Sequence, residues 1–491
     1  MPAMMPVKYL IVASFLLILC CWNAVGFLQG DEHFQILEFA AYKQGIVAAA
    51  DLPWEFAERM RPAAQPAIAW SAYSLFELFG TPHPYWLAFF LRLLSAGLFT
   101  VLAVCLFRRY SPQLSSDRLI KWFALLLLFN WASIYSGIRF SGENWSGMAL
   151  AAGFLLYPMA PSKNTEHYFT PGKKAGPSIF AFYAGLLFGL SFLFRYQMGL
   201  MVVGFGAWLL FLAREKWQRV GLLILGGLTT LAIGTLLDYW LYGEWVIAPW
   251  HYLEQNLVAG KAAEFGTLPW YGYFQKVFER GVPPLSLIYL GASLWFLWRY
   301  RRDPISWMII PFFVVHCFLS RKDVRFLFPL LPFLPVMIIA AAQELQKAYG
   351  AHFFDRKWVR GTIGLCVLLN GLLLASIALR PATTEVLVNR YIYNHYDEPI
   401  TLFADGKHAF SYANLIIRFY QRPGGVRIIN GERSNWPACQ TAHCLYSEQT
   451  KTPNPPPGAK QVYTNRPAWA EPFNFGGWLD GMRWWYIYEL E

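Results

Sequence analysis

Apolar stretches long enough to cross a bilayer recur from residue 8 to residue 379, and no other feature restricts the fold as strongly. A helix needs roughly 20 such residues to span the hydrocarbon, where every backbone amide must be satisfied within its own element. The stretches lie near 8–28, 84–107, 120–136, 143–160, 178–194, 197–213, 220–240, 283–298, 304–319, 326–343 and 361–379. They predict a polytopic α-helical membrane protein with about 11 transmembrane helices. Composition points the same way: charged residues are 14% of the 491 positions, against roughly a quarter in a soluble globule. The first stretch reads as a span and not as a secretory leader. It is too long for a signal core, and no small-residue cleavage site precedes Gly30.

The connections alternate in basic content. Arg108, Arg109, Lys173, Lys174, Arg214, Lys216, Arg219, Arg299, Arg301, Arg302, Arg356, Lys357 and Arg360 all fall in one alternating set. Placing that set in the cytoplasm satisfies the positive-inside rule. The N-terminus is then cytoplasmic, and an odd number of spans carries the C-terminus to the outer side. Much of the net charge of +11 is thereby topology facing membrane lipid. No basic face on a soluble domain remains to suggest a nucleic-acid partner.

Two regions follow. Residues 1–379 form the transmembrane module, with a large first outer loop at 29–83. Residues 380–491 are richer in Pro, Asn and polar side chains. Short alternating runs near Ile400–Phe403 and Val426–Asn430 predict strands of a small outer α/β domain, interrupted by a Pro-rich loop at Thr450–Ala459. Cys439 and Cys444 lie in this tail and suit a disulfide in an oxidising compartment. With His443 between them they fall short of a normal zinc set.

The outer loops hold the reactive side chains. Asp31, Glu32 and Glu38 follow the first span, and at helical spacing Glu38 lies on the face of Asp31 two turns on. Carboxylates emerging at the bilayer edge usually serve an ion or substrate. Prolines 53, 62 and 66 predict a folded loop, re-entrant or interfacial. The turn Arg321-Lys322-Asp323-Val324-Arg325 places three cations on the outer side. That runs against the positive-inside tendency and asks for an anion, either phosphate or the carboxylates of the first loop.

These patches carry a resemblance. The segments Asp31–Glu38 with Leu52-Pro53-Trp54-Glu55-Phe56 and Met60-Arg61-Pro62 make the first. Gly137-Ile138-Arg139-Phe140-Ser141-Gly142-Glu143-Asn144 makes the second, and Asp238–Trp245 continuing through Asn256, Gly260 and Phe265–Tyr271 the third. The fourth is Arg321–Pro329. In this order and spacing the chain resembles the Alg9-like mannosyltransferases over roughly residues 10–335. It departs from the family in having Gln29-Gly30 before the acidic pair, Arg321-Lys322-Asp323 in place of His-Lys-Glu, and an unmatched tail.

The resemblance implies a GT-C type fold and an inverting mannosyltransferase. A hexose would pass from a polyprenyl-phosphate sugar donor to a glycan or glycolipid acceptor on the outer face. Asp31 would act as base, with Glu32 second, and Arg321, Lys322 and Arg325 would bind the donor phosphate. Glu38, Trp54, Glu55, Arg61, Arg139 and Glu143 would bind substrate. A phosphate so clamped need not require a divalent ion, although the acidic pair Asp31 and Glu32 could hold one as in other multi-span transferases, and no other cofactor is expected. Two alternatives stand: another GT-C transferase, moving aminoarabinose or glycosylating protein, and a transporter or flippase of lipid-linked saccharides. Internal repeats expected of a transporter are not evident. The compact loops favour a bacterial inner membrane with a periplasmic active face over an endoplasmic-reticulum membrane.

Overall fold

A computed structural model of the chain describes residues 4–159, 169–171, 177–264, 266–422 and 424–490. Lys173, Lys174 and Phe265 lie outside the described residues. The chain forms two compact units. One gathers Met1–Cys21, Glu58–Ala67 and Leu91–Leu379, and the other Trp22–Ala57, Ile68–Phe90 and Arg380–Glu491.

Helix dominates the chain up to Leu379. Five helices among the described residues are long and apolar enough to cross a membrane: Pro84–Gln113, Asp117–Gly137, Trp217–Tyr242, Val324–Tyr349 and Lys357–His395. Shorter apolar helices lie at Val7–Asn23, Ile179–Phe194, Tyr196–Phe211, Leu285–Arg299 and Pro304–Phe318. The helix Gly142–Leu156 is buried along most of its length.

Lys357–His395 breaks around Pro381 into Lys357–Leu379 and Thr384–His395, and two other long helices are interrupted, each for a local reason. Asn130 has an extended backbone, and its side chain accepts the amides of Ala132 at 3.0 Å and Ser133 at 3.2 Å. One helix therefore ends at Phe129 and a new one starts at Trp131. Pro329 and Pro332 supply no amide hydrogen, and Val324–Phe333 runs as a 3₁₀ helix before regular α-helix begins at Leu334.

Helix contact in the first unit depends on missing side chains. Ile179–Phe194 crosses Trp217–Tyr242 so closely that a Cβ on Gly185 would overlap the carbonyl of Leu223, and one on Gly226 that of Phe182. A Cβ on Gly147 would lie 2.7 Å from the Cα of Pro329. That contact sets the start of Gly142–Leu156 beside the Arg325 segment.

Among the described residues of the second unit there are seven strands: β1 Ile400–Ala404, β2 Ser411–Tyr412, β3 Leu415–Ile416, β4 Val426–Asn430, β5 His443–Thr450, β6 Lys460–Thr464 and β7 Trp484–Leu490. Five make a mixed sheet in the order β4-β1-β5-β7-β6, with β1 parallel to both β4 and β5. Every residue of β1 is buried. The helix Thr384–His395 covers one face through Val388 and Ile392, against Leu402, Leu445, Trp485 and Ile487. Cys439 and Cys444 are joined as a disulfide, their Cα atoms 6.1 Å apart.

Candidate active site

The predicted residues divide between the two units. In the first, the helix Gly142–Leu156 opens on Ser141, whose side chain caps the amide of Asn144. Glu143 thus occupies the first turn, where a carboxylate complements the helix dipole. Its carboxylate lies 2.8 Å from the guanidinium of Arg195, and both side chains are about nine-tenths buried, at 7% and 11% exposure. Arg195 also stacks over Phe326, 5.0 Å from the ring centroid. Arg325 lies against the same ring at 5.3 Å. Phe326 therefore joins two guanidinium groups, and the second and fourth patches meet there.

Asp323 shapes this turn. Its side chain accepts the amide of Arg325 at 3.1 Å, and its other oxygen lies 3.4 Å from Arg325 Nε. Arg321 is half-buried. Lys322 is buried, and its ammonium donates to the carbonyls of Leu268 at 2.8 Å and Leu319 at 2.6 Å. Burial pushes its pKa down. The lysine ties the loop before Pro269 to the end of Pro304–Phe318, so its role in the turn is structural as well as electrostatic.

Arg139 is buried, with its guanidinium over Tyr135 at 6.0 Å. Its carbonyl accepts from Asn144 at 2.8 Å, which fixes the turn into the next helix. Arg61 is held through its backbone: the Tyr242 hydroxyl donates to its carbonyl at 2.8 Å and accepts its amide at 3.2 Å. Its guanidinium lies over Tyr252 at 5.6 Å. Buried Asp238 accepts the amide of Ala63 at 2.8 Å, which pins the Arg61–Ala63 turn to the third patch.

In the second unit, Asp31 and Glu32 lie on the short helix Gly30–Phe34. Glu32 Oε1 accepts the amides of Leu28 and Gln29, completing a capping box with Gln29. Asp31 is half-buried on the same turn.

The expected common face of Asp31 and Glu38 does not form, because Gln35 and Ile36 break the helix before Leu37–Lys43 begins. Glu38 is 1% exposed. It accepts from His33 Nε2 at 2.8 Å and from the amides of Arg418 at 2.8 Å and Phe419 at 3.0 Å. His33 is itself stacked between Phe27 and Tyr420, at 4.6 and 5.4 Å. A buried carboxylate is tolerated only when its oxygens are satisfied in this way. Glu55 accepts from the Gln35 amide at 3.2 Å, and Trp54 is 38% exposed. Among the described residues, no three His, Cys, Asp or Glu side chains are grouped to hold a metal ion.

Arg195 was not among the residues singled out from sequence, yet a signal existed. It is a lone cation between the apolar stretches 178–194 and 197–213. On the topology expected from loop charge that connection would lie outside, where a cation would be as anomalous as the three at 321–325.

The fold matches a solved structure. ArnT from Cupriavidus metallidurans bound to undecaprenyl phosphate superposes with a TM-score of 0.50 over 90% of this chain and 92% of that one, at 13% identity. Its apo structure matches at 0.50 over 98% and 97%, at 14% identity. That likeness defines a multi-span fold of the GT-C type. The Alg9-like mannosyltransferase family model matches residues 7–407, and the chain belongs to that family. GPI alpha-1,2-mannosyltransferase 3 of Bos taurus is 24% identical over 397 residues, covering 78% of this chain and 66% of that protein. Its Homo sapiens counterpart is 25% identical, covering 66% and 56%. GPI mannosyltransferase 3 of Yarrowia lipolytica is 25% identical, covering 70% and 62%. The chain thus spans less than two thirds of each of these relatives.

Proposed function

We propose that the chain is an inverting mannosyltransferase that uses a polyprenyl-phosphate mannose donor and a glycan or glycolipid acceptor. The observation that carries this reading is the family match across residues 7–407, which contains all four patches. The names of the relatives in Bos taurus, Homo sapiens and Yarrowia lipolytica support mannose as the sugar. The undecaprenyl phosphate held by ArnT, a protein of similar fold, supports a polyprenyl-phosphate donor. We assign eleven spans to the helical segments, with the N-terminus cytoplasmic and the tail outside. The outer side is the periplasm or the lumen of the endoplasmic reticulum, according to the membrane that holds the chain.

In the proposed step the acceptor hydroxyl oxygen attacks the anomeric carbon. The bond from that carbon to the phosphate oxygen breaks on the opposite face, and polyprenyl phosphate departs. The hydroxyl proton goes to Asp31. Glu32 is the weaker candidate for that role, because one of its oxygens caps the helix. Arg325 and Arg321 compensate the phosphate charge, and Lys322 holds their turn in place. Arg61, Arg139, Glu143, Trp54 and Glu55 shape the substrate sites, and Glu38 supports them from the core of its unit.

Mass spectrometry of lipid-linked glycans from a strain lacking the protein tests the reading. A glycan or glycolipid short of one hexose is expected. An unchanged profile, or one short of an amino sugar, would contradict it.

A further inference from the structure

Within the first unit, the helices Asp117–Phe129, Leu285–Arg299, Leu334–Tyr349 and Lys357–Leu379 border a slot of about 1090 Å³. Its walls are apolar, and small residues make the room: Gly291 and Ala292 on one helix and Ala341 and Ala342 on another line it. A Cβ on Gly291 would meet nothing within 4 Å.

The two ends of the slot differ. At one, the side-chain amide of Asn130 donates to the Tyr289 hydroxyl at 3.1 Å. Beside it, Asn370 donates to the Phe129 carbonyl at 2.8 Å and accepts the Trp131 amide at 2.9 Å. This polar floor is bonded internally and asks for no polar ligand. The other end is lined by Arg299, Glu344, Trp298 and Tyr349. Lys347 pairs with Glu344 at 2.6 Å, and Arg301 and Arg302 are exposed just beyond. The mouth is therefore net cationic and rimmed with aromatics.

Dimensions and charge select the occupant. Tyr289 and Arg299 are ten residues apart on one helix, which is about 15 Å at 1.5 Å per residue. That is the depth of one leaflet of a ~30 Å hydrocarbon core. The mouth is also at the far end from Arg325, since Glu344 and Tyr349 end the helix that Val324–Phe333 leads into. A donor with its phosphate at Arg325 would not present a headgroup there.

We infer that the slot seats an anionic phospholipid of the leaflet at the basic helix ends, acyl chains inside and phosphate at Arg299. Basic pockets between membrane helices recognise anionic headgroups in this way. The inference is independent of the transfer chemistry, and none of its residues belongs to the proposed machinery.

The test uses the full chain reconstituted in vesicles of equal phosphatidylglycerol and phosphatidylcholine, re-extracted in mild detergent and read by native mass spectrometry. Retained lipid should be enriched in phosphatidylglycerol. Arg299→Gln should keep a retained lipid but lower that enrichment about fivefold, the effect of one surface cation. Gly291→Phe should abolish retention at unchanged thermal stability. If that variant does not fold, Arg299→Gln decides alone. Wild-type retention without headgroup preference would overturn the inference. So would an unchanged ratio in Arg299→Gln, or displacement of the phospholipid by added undecaprenyl phosphate.

Discussion

Glu143 and Arg195 form a buried ion pair at 2.8 Å, and through Phe326 that pair reaches Arg325, the cation proposed to grip the donor phosphate. The pair joins the start of one apolar helix to the tight turn between two others. Arg195 and Arg325 share the Phe326 ring.

Removing one partner leaves the other charge buried, and such losses typically cost about 3–5 kcal/mol. Glu143→Ala should therefore lower the melting temperature in detergent more than the double variant Glu143→Gln/Arg195→Met does. Equal melting temperatures for all three proteins would remove the pair from the stability account.

Glu38→Gln tests the core of the second unit. The amide presents one acceptor oxygen and two donors to a setting of three donors, from His33, Arg418 and Phe419. Leaving buried donors unsatisfied costs about 1–3 kcal/mol each. Early proteolysis of the tail after Arg380 is the expected result. If the variant were stable yet inactive, Glu38 would be a substrate ligand and not a structural post.

Apolar length marked the helices, and alternation marked β1 and β4. The break at Asn130 was missed because an Asn inside an apolar stretch can cap a new helix or simply face a neighbour, and spacing does not distinguish the two. Asp31, Glu143 and Arg325 stood out through their motifs. The partners of Glu38 did not, since Arg418 and Phe419 bind it through backbone amides that carry no side-chain signature. Asp238 and Ala63 are likewise joined across 175 positions by a backbone donor. Contacts of that kind follow from tertiary packing alone.

Arg325→Ala should harm donor use more than acceptor use. A guanidinium can hold two phosphate oxygens, and charge-assisted bonds contribute roughly 1.5–3 kcal/mol each. A loss of about tenfold or more in donor kcat/KM follows from that range, with Arg325→Lys recovering only part of it. Kinetics varied in donor and acceptor separately check the point. A defect confined to acceptor KM would rule out the clamp.

The segment between β6 and β7 should loosen in acid. Arg466 bonds Glu471 at 3.1 Å and Asp480 at 2.7 Å, and these bonds hold both carboxyls below their ordinary values of 4.5 and 3.8. Because the folded pKa values are depressed, the stabilisation is present above the ordinary values and fades as pH falls through the lowered ones. Hydrogen exchange across 467–482, corrected for intrinsic rate, should show protection at pH 7 that is lost in acid. Arg466→Met should lack that protection already at neutral pH.

The most direct test of the central claim is single-turnover transfer from polyprenyl-phosphate mannose by the purified chain and its Asp31→Asn variant. The substitution is nearly isosteric and removes the proposed base, whose contribution is typically ~10²–10⁴-fold. Transfer by the wild-type chain, with a loss of that size in Asp31→Asn at unchanged melting temperature, is the predicted result. A variant that kept turnover within about threefold of the wild type, far short of that range, would contradict the assignment of Asp31 as the base.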